Sequence, residues 1–153
     1  LADRLNRAGE VLSKSGIALL YHNHNAEFLP VEQGVSAYHR LQQETDAAFV
    51  NFEFDSYWCA DAGRDPLREM EQLGSRMKLW HINDRGCRKP GFTPIYKMDS
   101  MELGYGTMNL TAMAQQAKKA GIDAVILESH RNWIDGDPVK SLQLSAEFLN
   151  QHF

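Results

Sequence analysis

The chain has only two cysteines, Cys59 and Cys87, and they lie neither close together nor at zinc-site spacing. That argues against a disulfide framework and a thiolate metal site, and both are read as reduced, structural thiols. A basic surplus is also missing: 16 Lys and Arg against 20 Asp and Glu leave a net charge of −4, which gives nucleic acid no obvious landing surface. No apolar run is long enough to span a bilayer, and the first residues lack the basic, apolar and small-residue succession of a secretion signal. A cytoplasmic protein with no membrane or nucleic-acid partner is therefore expected. No Pro/Gly/Ser linker, low-complexity tract or close internal repeat divides the chain, so residues 1–153 are read as a single domain or part of one.

What the chain does contain is one arrangement used four times. Short apolar segments each run into a polar, metal-capable side chain: IALLYHNH reaches His22 and His24, FVNFEFD reaches Asp55, KLWHIND reaches His81, and AVILES reaches Glu128. Strands are expected over 17–24, 49–55, 77–83 and 124–129, and helices over 1–15, 36–44, 66–73, 110–120 and 138–151. Strand-then-helix order repeated in this way implies a parallel α/β sheet. Two helix starts share a device, Gly63-Arg64-Asp65-Pro66 and Gly136-Asp137-Pro138, in which Asp caps free amides and Pro fits the first turn.

Strand alternation sorts the faces. If Asp55 points inward, so do Glu53 and Asn51; His81 brings Leu79 and Asn83, Glu128 brings Ile126 and Ala124, and His22 goes with Leu20 and His24. The opposite face carries Phe52, Phe54, Trp80, Ile82, Val125 and Leu127, suited to packing against outer helices. Three coincident strand ends raise Asp55, His81 and Glu128 above scattered polar residues.

In this order, Tyr21-His22-Asn23-His24 with Glu27-Phe28, Asp55-Ser56-Tyr57-Trp58 followed by Ala62-Gly63-Arg64-Asp65-Pro66, His81-Ile82-Asn83-Asp84, Leu103-Gly104-Tyr105-Gly106 and Ile126-Leu127-Glu128 resemble the xylose isomerase-like TIM barrels. That superfamily of sugar isomerases and epimerases also includes inosose dehydratases, tagatose-type 3-epimerases and endonuclease IV. The resemblance implies an α/β fold, the C-terminal half of a (β/α)8 TIM barrel comprising strands five to eight. An open half leaves two strand edges and part of its interior uncovered, so a missing N-terminal half or a homo-oligomer is expected to cover them.

The same resemblance implies a divalent cation held by Asp55, His81 and Glu128. Mn2+ is the first choice, with Mg2+, Co2+ or Zn2+ as alternatives. Where many relatives place Glu on the fifth strand this chain has His22, with Glu27 further along the loop, so the fourth ligand stands open between them. The implied activity is that of a sugar or sugar-phosphate isomerase or epimerase acting through an enediolate by proton transfer next to a carbonyl. A dehydratase of the same superfamily and a non-catalytic half-barrel module are the alternatives. Glu128 is assigned one proton-transfer role, and Glu27 or His24 the other.

Substrate contacts are expected from Asn83, Arg85, Trp58, Lys97 and His130. The segment 85–109 exceeds ordinary loop lengths and carries Arg85, Arg88, Lys89 and Lys97, a basic set able to hold a phosphate or sugar hydroxyls, although simple solvation is favoured for Arg88 and Lys89. Trp58 and Trp133 suit either stacking on a sugar or anchoring a loop. Glu53 is expected to pair with a basic neighbour inside the barrel, His39 and His152 to face solvent, and Gly104 and Gly106 to form a tight turn around Tyr105.

Overall fold

The computed structural model describes residues 1–32, 34–88 and 96–153. In chain order the elements are α1 (Ala2–Ser13), β1 (Leu19–His22), β2 (Pro30–Glu32), β3 (Val35–Ser36), α2 (Ala37–Glu44), β4 (Val50–Asp55), α3 (Ser56–Asp61), α4 (Pro66–Leu73), β5 (Met77–Ile82), β6 (Asp84–Gly86), β7 (Asp99–Met101), α5 (Leu110–Ala120), β8 (Ala124–Leu127) and α6 (Pro138–His152). The order β1-β4-β5-β8 forms one parallel sheet, and the pairs β2-β3 and β6-β7 are small antiparallel hairpins. The α/β reading is thus observed, with four strands where a closed barrel has eight.

Capping follows the sequence signals. Asp65 accepts from the amides of Leu67 and Arg68 ahead of Pro66, and Asp137 accepts from those of Val139 and Lys140 ahead of Pro138. Ser36 and Asn109 cap α2 and α5 in the same manner. Between helices and sheet lies the core: Phe52, Phe54, Trp80 and Ile82 are fully buried and pack with Tyr38, Met70, Met77 and Met113. The inner face of the sheet is more open, and Ile126 on it is 37% exposed. The two faces therefore separate by the alternation expected of the strands. No helix among the described residues is long and apolar enough to cross a membrane.

Strand β1 is shorter than the expected 17–24: at its start the Ile17 N–H bonds back to the Leu12 carbonyl of α1, and at its end Asn23 replaces ladder pairing with its side chain. Its amide donates to the Asp55 carbonyl at 3.0 Å and accepts from the Asp55 N–H at 2.9 Å, fully buried. That double bond ties the end of β1 to the end of β4.

Helix α1 reaches the sheet through Gly9. A Cβ built there would lie 2.3 Å from the Phe49 carbonyl oxygen, which is backbone and cannot swing aside. On an open helix Gly→Ala adds about 1 kcal/mol of stability. Here overpacking should reverse the sign, and Gly9→Ala is expected to destabilise by about 1–3 kcal/mol in urea unfolding. A stabilised variant would show that α1 retreats without cost.

Candidate metal centre

Each strand of the main sheet delivers one polar side chain at its C-terminal end. His22 and Asp55 are the last residues of β1 and β4, His81 is next to last in β5, and Glu128 follows β8, where its N–H still reaches the Ile82 carbonyl at 3.2 Å. Asp55 pairs directly with His81 in register, while His22 pairs with Glu53, two residues before Asp55, and His81 pairs with Ile126, two residues before Glu128. This stagger is the kind that tilted barrel strands impose, and it brings the four side chains to a common height.

One donor atom from each of His22, Asp55, His81 and Glu128 lies within 4.8 Å of the other three. Ligands on opposite sides of an ion held at roughly 2.1 Å are about 4.2 Å apart, so the donors would have to draw in somewhat to form a coordination shell. The set is oxygen and imidazole nitrogen without thiol, which suits a divalent cation. Nδ1 of His22 is buried without a hydrogen-bond partner. Burial, and then the neighbouring His81, lowers the His22 pKa, favouring the neutral ring a metal requires. Burial and a hydrogen bond to Glu128 push Asp55 up to about 8, whereas Glu128 is held low because its bonds to Asp55 and His81 outweigh its own burial. Two carboxylates converging on one space in this way are a pair whose repulsion a cation would relieve.

Asp55 has a second duty. Its Oδ1 accepts from the Trp58 amide at 2.9 Å and caps α3, a six-residue helix absent from the sequence expectation. Around the donors, His81 Nδ1 lies 3.0 Å from Glu128 Oε2, and His130 Nε2 lies 2.9 Å from Glu128 Oε1. The exposed ring of His24 stands 4.8 Å from that of His22 and 5.5 Å from that of Trp58. His24, Trp58 and His130 therefore gather around the four donors.

Other expectations need correction. Glu27 is not in the donor group: its carboxylate accepts from the Tyr21 hydroxyl and from the His24 backbone N–H, each at 3.0 Å. Tyr21 projects from β1 on the side opposite His22, and with Glu27 it lines a separate cavity of about 380 Å³. Burial, reinforced by the Glu27 bond, pushes the Tyr21 hydroxyl up to about 12. Asn83 is buried rather than free at the rim, donating to Ser100 Oγ at 2.8 Å. Arg88 pairs with Glu102 and the Asn132 carbonyl instead of standing in solvent. Arg85 lies 3.3 Å from Asp61, which also accepts from Asn25, and it lines a cavity with Leu67 and Met108. Lys97 is exposed, and Lys89 lies outside the described residues.

Among the remaining readings, His39 is bonded to Ser36 and Glu69, and His152 stacks on Phe148 at 4.0 Å, so neither simply faces solvent. Trp133 donates to Ser129 Oγ at 3.2 Å, as a loop anchor does. Cys59 and Cys87 are free thiols. Sequence reading missed Asn23 and Asp84. Asp84 is 1% exposed and accepts from the amides of Arg85, Gly104, Gly106 and Met108, which explains the Gly-Tyr-Gly stretch.

A parallel α/β half-barrel with a His/Asp/Glu group that could hold a cation at the C-terminal edge of its strands is the class that fold and site define. The chain belongs to the xylose isomerase-like TIM barrel family, whose model matches residues 1–152. It is 27% identical over 84 residues to an inosose dehydratase of Geobacillus thermodenitrificans and 32% identical over 84 residues to one of Mesomycoplasma hyopneumoniae, matching 55% of this chain and 27% of each relative. It superimposes with a TM-score of 0.76 on a sugar phosphate isomerase/epimerase from Parabacteroides distasonis, at 29% identity, over 97% of this chain and 50% of that one. The chain thus spans about half the length of the solved structure it matches.

Proposed function

We propose that this chain carries the metal-binding half of a divalent-cation-dependent sugar or sugar-phosphate isomerase or epimerase, with Mn2+ as the preferred ion. The observation that supports it is the convergence of His22, Asp55, His81 and Glu128 within 4.8 Å at the strand ends. A cation bound by these four would act as a Lewis acid, polarising a substrate carbonyl and stabilising the enediolate that proton removal beside it creates.

The chain's own residues supply the rest. Glu128 is the proton carrier, its carboxylate held close to His81 Nδ1 at one oxygen and to His130 Nε2 at the other. His24, exposed beside His22 and backed by Trp58, is the group positioned to return a proton at the neighbouring carbon or the opposite face. With Glu27 turned toward Tyr21, His24 is better placed for this role than Glu27. Arg85 and Lys97 are retained as contacts for hydroxyls or a phosphate. A complete pocket needs a second wall over the open inner face, supplied by the N-terminal half of a barrel or by a second copy.

A dehydratase is the second reading, favoured by the inosose dehydratases among the relatives. Two measurements test the proposal: Mn2+ titration by calorimetry, and solvent deuterium entering a ketose by mass spectrometry. Binding with exchange is expected. Water loss without exchange selects the dehydratase, and neither binding nor chemistry leaves a non-catalytic module. Asp55→Ala and His81→Ala should each weaken Mn2+ by at least ~10²-fold, since each deletes a ligand outright and even outer partners cost 10–100-fold.

A further inference from the structure

His81 has two ring nitrogens, and the structure gives each a carboxylate. Nδ1 lies 3.0 Å from Glu128 Oε2 and 3.8 Å from Asp55 Oδ2, while Nε2 lies 2.9 Å from Glu53 Oε1. Glu53 shares the inner face with Asp55 by the two-residue alternation of β4, and in register it stands between His22 and Leu79. The side chains of Glu53 and His81 are 22% and 16% exposed, so the contact is partly shielded from water. Glu53 contributes no atom to the four-donor group and lies across the imidazole from it.

We infer that Glu53 is a positioning residue for the cation: its carboxylate accepts the Nε2–H of His81, leaving the Nδ1 lone pair aimed at the space shared with Asp55 and Glu128. The inference rests on the metal reading above and extends it to a residue outside the donor set. A neutral imidazole has one N–H and one lone pair, and the hydrogen bond at one nitrogen decides which nitrogen is free to ligate. A carboxylate in that position fixes the tautomer, stops the ring turning over, and raises the basicity of the ligating nitrogen. Without it, each productive binding event would have to select both ring orientation and tautomer.

Calorimetric titration with Mn2+ alone, on wild type, Glu53→Ala and Glu53→Gln, tests this without any substrate. Glu53→Ala is expected to bind ~10–100-fold more weakly. Glu53→Gln should recover most of that loss, because its amide oxygen still accepts the Nε2–H. With Zn2+ as a diamagnetic probe and 15N-labelled histidine, NMR should show His81 protonated at Nε2 and metal-shifted at Nδ1 in wild type and Glu53→Gln. A Glu53→Ala protein that binds Mn2+ within twofold of wild type overturns the inference, even if its unfolding midpoint falls. So does a wild-type spectrum with metal on Nε2. Should wild type bind no Mn2+, the metal reading itself fails and the inference with it.

Discussion

Glu128→Gln is expected to leave Mn2+ affinity within about tenfold of wild type while lowering solvent exchange into a ketose by at least ~10²–10⁴-fold, the usual worth of a positioned proton-transfer group. The separation follows from what the amide keeps and loses. Gln retains an oxygen that can turn toward the donor group, and the three other donors are untouched. It cannot accept a proton at neutral pH, and it cannot supply a carboxylate charge between His81 and His130. Exchange measured by mass spectrometry and Mn2+ affinity measured by calorimetry must therefore diverge. If both fall by the same factor, Glu128 is a ligand only; if exchange is unchanged, it has no part in the chemistry.

Much of this site was legible in the sequence because strand ends are a simple code. Period-two alternation put Asp55 with Glu53 and Asn51, and placed Phe52 and Phe54 on the helix-facing side, where both are fully buried. The Asp-Pro helix starts were equally readable, since a cap and its amides lie within three residues of each other. What lay beyond reach was the choice between His22 and Glu27. That choice turns on the loop after β1, where Asn23 bonds to Asp55 and Glu27 folds back onto Tyr21, contacts no local pattern announces. The hairpin β6-β7 was hidden for a related reason. Its strands have three residues each, read Asp-Arg-Gly and Asp-Ser-Met, and offer no alternation to detect. Arg88 looked like a free basic residue because its partners Glu102 and Asn132 lie 14 and 44 positions away. The short helix α3 has no start signal of its own, because its cap, Asp55, is also the last residue of β4.

Long-range partners of this kind set the largest stability effect expected, at Asp84. Its Oδ2 accepts from Gly104 and Gly106 at 3.0 and 2.9 Å, and its Oδ1 accepts from Arg85 and Met108 at 2.8 and 3.2 Å. The loop is drawn so tightly around the carboxylate that a Cβ at Gly106 would sit 2.2 Å from Asp84 Oδ1. Asp84→Ala removes every one of these acceptors, and although water can reach the exposed Gly104, the loss is expected to be about 3–5 kcal/mol in urea unfolding. Asp84→Asn is the sharper experiment. It keeps size and shape but sets an NH2 against two amide donors, so it should cost about 2–4 kcal/mol rather than behave as an isostere. Asp84 supplies no donor atom to the cluster, so Mn2+ affinity of the folded fraction should stay near wild type. A stability for Asp84→Asn within about 0.5 kcal/mol of wild type would mean that the loop does not depend on this carboxylate. A large loss of metal affinity without unfolding would instead mean that the loop after β7 helps to hold His81 in place.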